Sequence, residues 1–482
     1  MSKFGDHLKD IISTYGVNIY ALAKSSGIER TSIHKYMSVG RIPSAENANK
    51  LAEALQLSPA ERHRFMEIFN ISAIGEFKYN QRLQVKDIIE RMAEIEKAAV
   101  IPNPSARAAP ANYKANTAIK GHHAVSNLIK DMINFAADSK TGDHSIDFVI
   151  PESNHYFYSE LLNSYLRHPQ LKIRHIIDFT KKGNLLHHGN RNLELLSQIL
   201  PFAYFSGASY TPYYYYRDNS YPVPTEIFPY FIITKTKAAL FDRTFASALY
   251  LNKPDLVALQ KELFEKMLTD TKPLITHALT GYEALTTVYK AHGVDELDTP
   301  THWVGLDVVI KPFITEELFR AAIKADLPGR EAILELGAAH WRYMSKNNRE
   351  GVTVATVEGI EMFANTGYIS GGHPEIAHPV KPQGIADILG KLKTSIEDPG
   401  IRNYLANPAR FTIPKYTLFA INAVYGLYLM IVSEAGNFQM VKIQEESITE
   451  AFEDFVTSIG ASDLVYSVKD ALSALNFTPQ PQ

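Results

Sequence analysis

Apolar residues recur at helical spacing through the first hundred residues of the chain, and beyond a proline-rich run near residue 105 short strand-like runs alternate with helical stretches. A period near 3.6 buries one stripe of a helix, whereas short β-branched runs between turn residues pair into sheets. A chain that changes pattern once in this way builds a helical unit first and helix-covered sheets afterwards. At roughly 100–200 residues per domain, 482 residues make two to four domains. The expected fold class is multidomain: an all-α domain followed by a large α/β or α+β effector region.

Within residues 1–70, Phe4, Leu8, Ile11 and Ile12 share one face of a first helix, which Gly16 closes in a left-handed turn. Asn18 can cap a second helix with Ile19, Leu22 and Ala23. After Gly27 a third helix carries Ile33, Tyr36 and Met37, and Pro43-Ser44 precedes a fourth with Ala48, Leu51 and Leu55. Ser58-Pro59-Ala60-Glu61 has the form of a capping box with proline at the first helical position and opens a fifth.

From 76 to 99, Val85, Ile88, Met92, Ile95 and Ala99 are spaced three and four apart, with Asp87 and Arg91, and Glu94 and Lys97, within helical reach. Such a seam suits a coiled coil of about two heptads, and equally an amphipathic helix lying on its own domain. Residues 71–101 are therefore expected to form a helical stalk and a dimerisation helix. Residues 102–112, rich in proline and small side chains, read as a linker. The remainder is expected to divide into α/β subdomains at 113–325 and 326–482. A strand run followed by a helix recurs in both halves, consistent with a weak duplication.

Lysine and arginine number 49 against 52 acids, a net charge of −3, so a polyanion would have to meet a local patch. Zero cysteines exclude disulfides, thiolate metal sites, iron–sulfur clusters and a cysteine nucleophile, and suit a reducing cytoplasm. No run approaches the ~20 apolar residues of a membrane span. The opening MSKFGDHLKDII carries acids where a signal peptide runs apolar. The expectation is a soluble, cytoplasmic protein with no membrane partner. No GxxxxGK[ST], HExxH or GxSxG motif occurs, so neither catalysis nor a cofactor nor a metal is expected.

The run NIYALAKSSGIERTSIHKYMSVGRIPS, followed by ENANKLAEALQLS, resembles the helix-turn-helix of the lambda repressor and Cro-like group, the Xre-type regulators. The resemblance covers about the first 70 residues and rests on the Ala-Leu-Ala of the second helix, Gly27 in the turn, Ile28 and Ile33 in the core, Pro43-Ser44 and the closing Ala54-Leu55-Gln56-Leu57. Gly40 lies one place later than in the commonest pattern, which leaves the end of the third helix open. The resemblance implies that this helix enters the major groove of double-stranded DNA with Glu29, Arg30, Thr31, Ser32, His34 and Lys35 on its outward face. Asn18 would stand where the second helix meets phosphate. Lys24, Arg30, Lys35 and Arg41 against Glu29 alone give residues 24–41 a net +3, local basicity in an acidic chain. Half-site recognition in this class implies a homodimer on a pseudo-palindromic operator.

The remaining length calls for another role, and sensing of a small-molecule or peptide effector is the leading expectation. Seven tyrosines crowd residues 204–224: Tyr204, Tyr210, Tyr213, Tyr214, Tyr215, Tyr216 and Tyr221. A loop so composed can line a pocket, with Tyr213, Tyr214, Tyr215, Tyr216 and Arg217 as candidate ligand contacts, or its rings can cover a sheet edge. His187-His188 with Asp178, and His373 with His378, read as polar loops in preference to metal sites, and His122-His123 as a helix start. The chain is thus expected to be a sequence-specific DNA-binding transcription regulator with a ligand sensor. A scaffold or defence-associated protein-interaction region and a DNA-tethered enzyme are the alternatives.

Overall fold

Helices come first, and a mixed α/β region with two sheets follows, in a computed structural model that describes residues 2–98, 113–114, 116–138, 142–151, 153–181, 190–217, 227–278, 280, 283, 299–327, 329–369, 377–432 and 438–476. The chain separates into two units, Met1–Gln84 and Val85–Gln482. The expected linker at 102–112 lies outside the described residues, as do His187, His188, Tyr221 and His373.

The first unit holds α1 Lys3–Thr14, α2 Ile19–Ser26, α3 Arg30–Ser38, α4 Ala45–Ala54 and α5 Pro59–Ile74, and α6 Glu76–Ala98 begins in it. Local chemistry sets its helix ends. Gly16, at φ +60°, donates its N–H to Ser13 O while the Val17 N–H reaches Ile12 O, a left-handed cap that satisfies two final carbonyls of α1. Ser58 and Glu61 cap each other's backbone at the start of α5. Phe4 meets Phe65 and Phe69 edge-on at 5.1 and 5.7 Å in a core with Leu8, Leu22, Ile33 and Leu51. A β-carbon on Gly5 would stand 2.4 Å from the Tyr36 backbone oxygen, so α1 and α3 cross this closely only because residue 5 is glycine.

In the second unit the chain runs through β1 Thr117–Lys120, α7 His122–Ala137, β2 Ser145–Val149, α8 His155–Arg167, β3 Lys172–Thr180, α9 Arg191–Ser206 and β4 Tyr210–Arg217. It continues through β5 Tyr230–Ile233, β6 Ala238–Phe241, β7 Ser247–Leu251, α10 Pro254–Thr269 and β8 Lys272–Pro273. A second series follows with β9 Ile275–Ala278, β10 Thr301–Val304, α11 Glu316–Ala322, α12 Arg330–Asn347, β11 Val352–Ala355, α13 Val357–Thr366, α14 Pro382–Glu397 and β12 Arg402–Leu405. It closes with β13 Thr417–Asn422, β14 Gly426–Val432, β15 Phe438–Ile443, α15 Glu446–Ser458 and α16 Val468–Ala474.

The strand order is β1-β7-β6-β5-β2-β3-β4-β8 in the first sheet and, read from its β9 edge, β9-β15-β14-β13-β10-β11-β12 in the second. Apart from β8 the two orders are the same. In each, three parallel strands joined by helical crossovers are followed by a three-stranded antiparallel meander and one helix, and the opening strand pairs antiparallel with the last strand of the meander. The chain from β1 to α10 and the chain from β9 to α15 are therefore two copies of one topology. Division at residue 325 does not follow these copies, because β9 and β10 precede it yet pair with β15 and β13 of the second sheet. Long-range pairing sets that boundary, and no local composition marks it. The copies are tied together by Asn192, which exchanges hydrogen bonds with the Thr180 backbone and donates to Ser447 Oγ at 2.9 Å.

The seam on α6 is spent inside the chain. Val85, Ile88, Met92 and Ile95 are buried in the same cluster as Ile146, Phe148 and Phe419, so the stripe expected to zip two chains together instead packs on the α/β core. Glu96 fastens the helix by accepting from Lys415 N, Tyr416 N and Thr417 Oγ1 at 2.7, 3.0 and 2.7 Å, and Glu90 accepts from Thr412 N.

Candidate nucleic-acid interface

The turn between α2 and α3 is built from three adjacent side-chain choices. Gly27 caps α2 at φ +68°, a conformation that a β-carbon would strain. Ser26 donates to Leu22 O at 2.6 Å and accepts from Ile28 N–H at 3.4 Å, so its hydroxyl bridges the corner. Ile28, Ile33 and Tyr36 are buried, and Asn47 donates to the Tyr36 hydroxyl at 3.4 Å, which pins the inner face of α3 to α4. With that face committed, Glu29, Arg30, Thr31, His34 and Lys35 are exposed and Ser32 is half-buried. Thr31 donates to the Glu29 carboxylate at 3.4 Å. The helix ends at Ser38, Gly40 follows at φ +75°, and the Arg41 N–H returns to Lys35 O at 3.4 Å.

Asn18 turns its oxygen back to cap α2, accepting from Tyr20 N–H at 2.8 Å, so only its NH2 remains for an outside acceptor. The ion pairs of this unit avoid the α3 face. Lys3 pairs with Glu76, Lys50 with Glu46, Arg62 with Glu53 and Arg64 with Glu67. Among the described residues none of Lys24, Arg30, Lys35 or Arg41 holds an ion pair. Uncompensated cations on a rigid convex helix attract polyanions over about a Debye length. Two exposed side chains of α2 and of the end of α3 escaped the sequence reading: Tyr20, 69% exposed, and Val39, 76% exposed. Their signal is that each is a large apolar residue off the buried stripe, suited to a sugar edge or a thymine methyl.

Tyr210, Tyr213, Tyr214, Tyr215 and Tyr216 lie on a strand and not in a loop, and Tyr204 lies in α9. Residues from Tyr210 to Arg217 pair in parallel register with β3 from Ile173 to Thr180, and Tyr213 and Tyr214 also pair with β8. Successive strand side chains point to opposite faces, which divides the candidate ligand residues. Tyr214 and Tyr216 lie on the main core face, where Tyr214 meets Phe179 at 5.4 Å and the Tyr216 hydroxyl donates to Glu445 at 2.8 Å. Burial and the Glu445 charge push the Tyr216 hydroxyl well above its ordinary pKa. Tyr213 and Tyr215 pack on the other face with Ile176, Phe231 and Phe264 of α10. These rings therefore do not form one wall of one pocket. Arg217 ends the strand, and its side chain lies outside the described residues. His122 and His123 begin α7, and His378 bonds through its backbone to Ala322 O. Among the described residues no helix is long and apolar enough to cross a membrane.

No protein-family model and no curated protein matches the sequence. Among solved structures the chain is similar to TrmBL2, described as an archaeal chromatin protein with a novel mode of DNA binding, at 12% identity and a TM-score of 0.23, over 55% of this chain and 98% of that one. It is also similar to polyphosphate kinase from Porphyromonas gingivalis, at 12% identity and a TM-score of 0.23, over 71% of this chain and half the length of that one. Likenesses this distant carry no argument about what this chain does.

Proposed function

We propose that the first unit binds double-stranded DNA in a sequence-specific way through α3, and that the chain is a non-enzymatic Xre-type transcription regulator whose second unit is an effector region. The observation that carries this reading is the segregation of charge: the cations of α2, α3 and the turn after α3 are unpaired while those of α1, α4 and α5 are largely matched to acids. Arg30, His34 and Lys35 recur at helical spacing on the exposed face, where arginine suits guanine and lysine suits phosphate. Two copies would read the two halves of a pseudo-palindromic operator. The effector reading, with a small molecule or peptide as its signal, is supported by the size of the second unit, Val85–Gln482, which far exceeds what DNA binding and pairing of two chains require.

Selection of duplexes from a random pool, followed by anisotropy titrations at several salt concentrations, tests the DNA reading. The selected site binds the wild type tightly, with affinity falling as salt rises in proportion to the phosphates neutralised. The combined Arg30→Ala, His34→Ala and Lys35→Ala variant loses that preference. Retention of specific binding by this variant, or failure to enrich any sequence, refutes the reading.

A further inference from the structure

We infer that the outer face of α10 is the surface on which a second copy of this chain docks, the two α10 helices meeting antiparallel about a twofold axis. The inference stands apart from the DNA-binding reading. Helix α10 has two apolar sides. Val257 and Phe264 are buried on one of them, and Phe264 packs against the first sheet with Ile176, Phe231 and Ile233. On the other, Leu259 and Leu263 are 52% and 46% exposed and Leu256 is half-buried, a three-then-four spacing that draws one stripe along the helix. An apolar stripe left in water on a helix already packed elsewhere marks an interaction surface.

Charge selects the occupant. Glu265 is bound by Arg174, and Lys261 donates to Lys235 O, so these two are committed within the chain. Asp255, Glu262 and Lys266 have no ion pair among the described residues. Asp255 stands in the first turn and Lys266 in the last, on the same exposed side of the helix. In an antiparallel mate centred between them, each Asp255 faces the other copy's Lys266, Leu259 meets Leu263 twice, and the helix dipoles oppose. A parallel mate would set aspartate on aspartate and lysine on lysine.

The repeated topology supplies an internal precedent. Helix α15 occupies in the second copy the place of α10 in the first, and Ser447, Ile448, Thr449, Ala451, Phe452, Phe455 and Val456 of it are buried. It lies between its own sheet and α9 of the other copy, joined there through Ser447 and Asn192. The equivalent helix of the second copy is thus covered where it meets α9, whereas the outer face of α10 carries the exposed Leu259 and Leu263. The α6 seam cannot serve instead, because it is buried. A single helix stripe is smaller than the ~800 Å² per partner of a stable interface, so association in the micromolar range is expected.

Sedimentation velocity of the full chain, from about 1 to about 100 μM, reads the result directly. The wild type shifts from monomer to dimer across this range. Leu259→Glu with Leu263→Glu stays monomeric throughout, and its unfolding midpoint matches the wild type because both side chains are exposed. Asp255→Lys alone weakens the dimer at least several-fold, and adding Lys266→Glu restores it. A monomeric wild type, a dimer that survives the leucine changes, or a charge swap that fails to restore association overturns the proposal. Binding of the monomeric variant to a single operator half-site is scored separately, so failure of the dimer and failure of DNA recognition are told apart.

Discussion

Removal of Glu96 should cost the second unit several kilocalories per mole, because this one carboxylate satisfies three donors at the entrance to β13. Lys415 N and Tyr416 N are part-buried and Thr417 Oγ1 is buried, at 2.7, 3.0 and 2.7 Å from it. A stranded donor costs about 1–3 kcal/mol, with the lower figure applying where water can enter. Glu96→Ala should therefore lose about 3 kcal/mol at neutral pH, a large share of the ~5–15 kcal/mol of a typical domain. Glu96→Gln should lose about half as much, since its oxygen still accepts while its NH2 faces a donor. Burial raises the Glu96 carboxyl above its ordinary pKa despite these hydrogen bonds. Between the ordinary and the raised value the unfolded chain is ionised and the folded chain still holds the proton, so stability falls as pH rises through that window. The gap between wild type and Glu96→Ala should accordingly be widest in mild acid and narrow towards neutrality. Both tryptophans, Trp303 and Trp341, belong to the second unit, so urea titration followed by their fluorescence reports on it alone. A loss below about 1 kcal/mol at every pH, or a gap that widens towards neutral pH, would refute the account of Glu96 as a satisfied buried latch.

In the first unit, Gly5→Val places side-chain carbon against the Tyr36 backbone oxygen and should destabilise the α1–α3 crossing by about 1–3 kcal/mol, read as an early transition in far-UV circular dichroism. An unchanged melt would show that the helices can separate freely. Burial lowers His175 to about 3 and His302 to about 4, so both are neutral in the folded chain. Since an unfolded histidine near pH 6.5 takes up a proton, stability is complete above that pH. It falls towards pH 4 by up to about 1.4 kcal/mol per pH unit for each histidine. His175→Gln should flatten the dependence of the urea midpoint on pH, and an unaltered slope would place the acid sensitivity elsewhere.

The helical unit was legible because its instructions are local. Gly16, Asn18, Gly27 and the Ser58–Glu61 pair act within a few residues of themselves, and each ends or starts the helix its neighbours imply. The outward set from Glu29 to Lys35 follows once Ile33 and Tyr36 are known to be inside. Tyr20 and Val39 were missed because periodicity reports the buried face and says little of which exposed apolar side chains border it. The tyrosine run left two readings open for a related reason. A tyrosine-rich segment satisfies the preferences of a strand as well as those of a binding loop, and only pairing with β3 and β8 distinguishes the two.

The amino-acid order by itself determined the α-then-α/β architecture, the helix ends of the first unit and the acid-poor, base-rich face of α3, all of which depend on contacts between near neighbours. Tertiary structure decided what the seam of α6 packs against, which faces Tyr213 to Tyr216 occupy, where the two copies of the α/β fold divide and which leucines of α10 stay in water. Those outcomes are set by partners tens to hundreds of residues away, such as β9 with β15 and Glu96 with Thr417. An apolar stripe or a buried carboxylate specifies only that a partner must exist, and hydrophobic burial is non-directional, so the partner's identity emerges only when the whole chain has closed around it.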